Sequence, residues 1–120
     1  MSSNAIEVSN QIASWIEEKK GKDIQILDIS ELTTLTECFV LASGSSTLQV
    51  QSIASFVEEK AKDNNIDLRR KEGYQSARWI LLDYNNVIVH IFLEEEREFY
   101  NLERLWLDAK KVDMSKSGID

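Results

Sequence analysis

The chain has 120 residues, with Lys+Arg 14 against Asp+Glu 21, one His, one Cys and no Pro, and 42% of it is hydrophobic. That length suits one domain, since domains cluster at roughly 100–150 residues, and the composition excludes disordered, collagenous and disulfide-stapled classes. A net charge of -7 disfavours binding to a phosphate backbone, which needs clustered cations, and favours basic partners.

From Asn4 to Lys20 the apolar residues Ala5, Val8, Ile12, Trp15 and Ile16 recur at three- and four-residue steps, the stripe of an amphipathic helix. Gly21 is expected to end it as the left-handed residue, with Lys19 and Lys20 at the negative end of the dipole. Residues 23–29 read as a β-branched strand, followed by a Ser/Thr-rich connection through Thr36. Cys38 to Ala42 is a continuous apolar run bounded by polar residues, the pattern of a central strand buried on both faces.

Gly44-Ser45-Ser46 then leads into a helix carried by Val50, Ile53, Ala54, Val57 and Ala61 to about Asp63. Ser46 and Gln49 have the form of a capping box, although Ser45 also qualifies as the cap. Ile66 to Arg70 is a weak strand, and Arg78 to Asp83 and Val87 to Leu93 are strong ones. From about Glu95 a last helix carries Phe99, Leu102, Leu105, Trp106 and Ala109, with Lys110 and Lys111 at its far end. The order predicts an α/β fold with a single mixed sheet of about five strands and helices packed on it, one domain over residues 1–111 and a polar, flexible tail over 112–120. No stretch approaches the roughly 20 apolar residues of a membrane span and the N-terminus has no secretory pattern, so a soluble cytoplasmic protein is expected.

The last two strands are the most informative. If Asn85-Asn86 is a two-residue type I′ turn, Tyr84 opposes Val87 and the register is fixed. One face then collects Ile80, Leu82, Tyr84, Val87, Val89 and Ile91, an aliphatic core. The other collects Trp79, Leu81, Asp83, Ile88, His90 and Phe92. Such a mixed face is either covered by packing, with His90 hydrogen-bonded inside, or open to a partner; the second reading is favoured.

Catalytic chemistry finds little support. Gly44-Ser45 at a strand-to-helix turn is where phosphate would sit, but a Gly-Ser nucleotidyltransferase needs magnesium carboxylates about ten residues later. That window is Ser55-Phe56-Val57-Glu58-Glu59, inside an evident helix. Glu94, Glu95 and Glu96 suit a helix N-terminus better than a metal, and Cys38 reads as a small buried hydrophobe rather than a nucleophile paired with His90. No catalytic residue, metal or cofactor is expected.

Residues 5 to 107 resemble the ribosomal silencing factors, also called the Iojap family. The matching segments are Asp23-Ile24 with Leu27-Asp28, Leu35-Thr36 through Ser43-Gly44-Ser45, Gln49-Val50 with Ser52-Ile53-Ala54, and Glu72-Gly73. They continue with Trp79-Ile80-Leu81-Leu82-Asp83, Val87-Ile88-Val89-His90-Ile91-Phe92, and Phe99-Tyr100 with Leu102-Glu103-Arg104-Leu105-Trp106. One departure is Asn85-Asn86, where the family commonly has a small residue and Asp.

The resemblance implies a nucleotidyltransferase-like fold without catalysis. It also implies docking on the large ribosomal subunit through its protein numbered fourteen, which blocks the small subunit and represses translation under nutrient limitation. A role in large-subunit assembly and a homodimer are further implications, whereas DNA and membrane partners are not. The expected contact residues are Trp79 and Phe92 as aromatic anchors, Leu81 as filling, Asp83 and His90 as polar contacts, and Tyr84 at the edge, with His90 lending pH dependence around neutrality. The alternatives are a degenerate nucleotide-binding protein and a dimerising scaffold.

Overall fold

The computed structural model describes residues 2–100 and 110–112, with side chains described for 4–97 and 110–112. In chain order the elements are α1 (Ser2–Glu18), β1 (Lys22–Asp28), β2 (Cys38–Gly44), α2 (Thr47–Asp63), β3 (Arg70–Glu72), β4 (Trp79–Asp83), β5 (Val87–Leu93), α3 (Glu94–Tyr100) and β6 (Lys110–Lys111). The strands form one mixed sheet in the order β3-β4-β5-β2-β1-β6, six strands rather than about five. β2 and β5 run parallel and the other neighbours antiparallel.

The sixth strand is a correction to the sequence reading. Lys110 and Lys111 pair with Asp28 and Leu27 instead of ending a helix, and the Val112 N–H extends the ladder by donating to the Ile26 carbonyl. The expected apolar stripe through Phe99, Leu102, Leu105, Trp106 and Ala109, and the tail beyond Val112, lie outside the described side chains. The weak strand also shifts, from Ile66–Arg70 to Arg70–Glu72, because the N–H groups of Asn64, Asn65 and Ile66 still bond back to carbonyls of α2.

Helix ends follow from local chemistry. α1 closes in a Schellman arrangement: Lys20 N–H donates to the Glu17 carbonyl and Gly21 N–H to the Ile16 carbonyl. The left-handed residue is therefore Lys20, at φ +64, and not Gly21. Gly21 is needed one step later because a Cβ there would run into the Ile16 side chain. At α2, Ser46 is the N-cap and its hydroxyl accepts from the Gln49 N–H at 3.1 Å.

β2 is buried at every position, as its unbroken apolar run predicts. Its alternate residues Cys38, Val40 and Ala42 join Ile80, Leu82, Val87, Val89 and Ile91 in the core beneath α1 and α2. Phe39 and Leu41 point to the opposite face, where they join Leu27, Ile29 and Phe92 in a smaller cluster flanked by Trp79 and Ile88. One sheet thus supports two cores of unequal size.

Candidate functional site

β4 and β5 pair in the register the sequence predicts, with Trp79 opposite Phe92, Leu81 opposite His90 and Asp83 opposite Ile88. The turn that fixes this register is not type I′. Asn85 is at φ +79 while Asn86 is not left-handed, and the Asn86 N–H donates to the Tyr84 carbonyl at 3.0 Å, which makes a γ-turn centred on Asn85. Side chains pin it from two sides. The Asp83 carboxylate accepts from the Asn85 N–H at 2.8 Å, and Arg69 Nη1 donates to the Asn85 amide oxygen at 2.7 Å.

The second face is organised around His90. The Trp79 indole N–H donates to His90 Nδ1 at 3.0 Å, Phe39 meets the imidazole edge-on at 4.8 Å between centroids, and Trp79 and Phe92 lie 5.1 Å apart. Because Nδ1 accepts, the neutral ring carries its proton on Nε2, a buried atom with no partner among the described residues. Burial pushes the imidazole pKa down to about 4. The ring is uncharged at neutral pH, which overturns the expected pH-dependent contact near neutrality.

The face is closed at its centre and open toward the β3 side. His90 and Phe92 are 5% and 1% exposed, whereas Trp79, Leu81 and Asp83 are half-buried. Tyr84 is a correction. It belongs to the helix-covered core and not to the edge of the mixed face, with burial pushing its phenol pKa up. Phe39 and Leu41 complete the mixed face, brought there by the parallel pairing of β2 with β5, which no local pattern in the sequence specifies.

Elsewhere the geometry argues against phosphate chemistry. At the Gly44-Ser45 turn the Gln49 amide oxygen accepts from both the Ser45 N–H and its hydroxyl, at 2.7 and 2.9 Å, so donors that would face an anion are already used. Gln49 Nε2 meanwhile donates to the Lys20 carbonyl at 3.1 Å, tying this turn to the end of α1. Gly44 serves packing, because a Cβ would sit 2.9 Å from the Val50 side chain. Cys38 faces α1 and α2 while His90 faces the other way, and burial pushes the thiol up to about 11, so the two form no nucleophilic pair. Glu94 and Glu96 are engaged with Lys22 and Arg78, at 3.2 and 3.5 Å. Among the described residues no group of carboxylates, His and Cys is placed to hold a metal, and no helix is long and apolar enough to cross a membrane.

The class of protein these features define is an acidic α/β domain with one mixed sheet and an aromatic patch on one sheet face. Residues 2–119 match the family model described as ribosomal silencing factor during starvation. The ribosomal silencing factor of Bacillus subtilis is 38% identical over 102 residues, which cover 85% of this chain and 86% of the relative. That of Chromobacterium violaceum is 39% identical over 100 residues, covering 83% and 82% respectively. A crystal structure of a C. violaceum protein superposes with a TM-score of 0.82 at 36% identity, covering 92% of this chain and 95% of that one. The chain belongs to the ribosomal silencing factor family.

Proposed function

We propose that this chain docks on the large ribosomal subunit, through the ribosomal protein conventionally numbered fourteen, and thereby excludes the small subunit and lowers translation when nutrients are short. The observation that carries this reading is the mixed sheet face of a silencing-factor chain, packed at its centre and half-exposed at Trp79, Leu81 and Asp83. Those three residues are the direct contacts, and His90 and Phe92 support the Trp79 ring from beneath. The site of action is the cytoplasm.

The mechanism is competition. A factor that binds only free large subunits weakens joining by about 1 + [factor]/Kd, and roughly 800 Å² per partner suffices for a stable contact. The net charge of -7 steers the chain toward a basic ribosomal protein and makes association salt-sensitive.

Co-sedimentation of the folded protein with isolated large subunits, small subunits and joined ribosomes, at low and high salt, tests the proposal. Binding to free large subunits with little on joined ribosomes supports it. No binding to large subunits at any salt concentration rejects it, and equilibrium sedimentation of the protein alone then measures self-association as the alternative use of the same face.

A further inference from the structure

Three of the four large hydrophobic residues that stand exposed among the described residues sit at one end of the sheet. Leu35 is 84% exposed, Leu32 43% and Leu68 36%, whereas Leu48 is at the opposite end, in the first turn of α2. The placement follows from the pairing. Asp28 opposes Cys38, Cys38 opposes Val87, and Arg70 opposes Asp83, so the β1–β2 loop, the β4–β5 turn and the approach to β3 share a rim.

This rim is tied together. The Ile29 N–H donates to the Glu37 carbonyl and closes the β1–β2 loop, while Leu32 and Thr33 N–H groups both donate to the Ile29 carbonyl. The Asp28 carboxylate accepts from the Ser30 N–H and hydroxyl, and the Thr33 hydroxyl accepts from the Leu35 N–H at 3.1 Å. Glu37 and Cys38 N–H groups donate to the Asn86 carbonyl, joining the loop to the hairpin turn. Leu32 and Leu35 are thus held outward by a closed hydrogen-bonded frame, and presenting them that way costs little ordering entropy on binding.

The charges at the rim indicate the partner. Lys110 is paired with Glu31 at 3.1 Å. Arg69, bonded at 2.7 Å to the neutral Asn85 amide, keeps its charge, but it and Lys111 are outnumbered by Asp28, Glu37, Asp67 and Asp83, whose carboxylates have no ion-pair partner among the described residues. A phosphate backbone would be repelled, and a protein surface with an apolar pocket rimmed by Lys or Arg would be complementary. Resting on the proposed ribosomal function, we infer that this leucine rim is a second contact of the docking footprint, seating Leu35 and Leu32 in an apolar, basic-rimmed pocket of a large-subunit protein. Asp83 lies at the rim end of β4 and joins it to the Trp79 face.

Leu35→Ser and the double variant Leu32→Ser with Leu35→Ser test this by quantitative co-sedimentation with isolated large subunits, with Leu48→Ser as the control at the other end. Circular dichroism verifies that each variant is folded, which the exposure of these positions favours. The expected result is at least a tenfold rise in Kd for Leu35→Ser, a larger one for the double variant and none for Leu48→Ser. Wild-type binding with an unchanged Kd for Leu35→Ser overturns the rim and leaves the function standing, whereas absence of wild-type binding overturns both. A photo-crosslinker at position 35 is expected to reach a ribosomal protein. Crosslinks to ribosomal RNA alone, or to a second copy of this chain, would overturn the proposed partner.

Discussion

The Trp79 indole N–H donates to His90 Nδ1 diagonally across the β4–β5 ladder, at 3.0 Å and two residues from Phe92, the direct partner of Trp79. The imidazole, clamped by Phe39 on its edge and stacked near Phe92, acts as a fixed acceptor that sets the tilt of a half-exposed indole. An aromatic anchor of this kind reaches its partner already oriented, so less rotamer freedom is lost on docking.

Trp79→Ala is therefore expected to weaken large-subunit binding by about 2 kcal/mol or more, roughly thirtyfold, with the fold retained. His90→Phe keeps an aromatic ring, somewhat larger than the imidazole, but leaves the indole N–H without this acceptor, at a stability cost of about 1–3 kcal/mol and a smaller loss of affinity. Co-sedimentation together with urea unfolding separates the two effects. Equal affinities for Trp79→Ala and wild type would remove Trp79 from the site.

The same imidazole sets a pH dependence of stability. Its ordinary value is 6.5 and burial lowers it to about 4 in the folded chain, so between these values the unfolded chain binds more protons. Stability is intact above about pH 7 and falls as the pH drops through this window, by about 3 kcal/mol in all at 1.36 kcal/mol per unit. Urea midpoints from pH 7.5 to 4.5 check this, and His90→Phe should flatten the component. Large-subunit affinity, by contrast, should carry no titration of His90 between pH 6.5 and 8.

Gly73 sets the approach to Trp79. It lies at φ +79, and a Cβ there would collide with the Trp79 carbonyl oxygen. The Ala77 N–H closes the turn onto the Gly73 carbonyl at 2.9 Å. Gly73→Ala combines a left-handed backbone with a steric clash and is expected to lower stability by about 2 kcal/mol. A urea midpoint unchanged from wild type would show that the turn accommodates a side chain.

Nucleotide with magnesium should give no heat of binding in calorimetry, because Gln49 occupies the donors at the Gly44-Ser45 turn. Gln49→Ala frees those donors and breaks the tie to Lys20, so it should lower stability by about 1–2 kcal/mol. Saturable binding of nucleotide by the wild-type chain would restore the phosphate-site reading.

Much of this was legible in the sequence because it depends on short-range periodicity. The stripes of α1 and α2, the unbroken run of β2 and the β4–β5 register all rest on patterns spanning a few residues. The register survived a mistaken turn type because a γ-turn at Asn85 and a type I′ turn both leave Tyr84 facing Val87. What local pattern did not carry was long-range. Phe39 became part of the aromatic patch only because β2 lies beside β5, whereas the parity of Tyr84 with Leu82 already placed its side chain on the core face. β6 is two residues long and takes its pairing from β1, so no repeat within it announces a strand.

The parallel β2–β5 ladder also has a kinetic meaning. Cys38 cannot meet Val87 until α2, β3 and β4 have all been made, so the buried central strand emerges from synthesis well before its neighbour. Until then β2 offers an apolar edge with unpaired backbone groups, a template for aggregation. Folding should accordingly be slow for a chain of this size, governed by one long-range closure, and fragments ending before Val87 should be insoluble while the full chain is not.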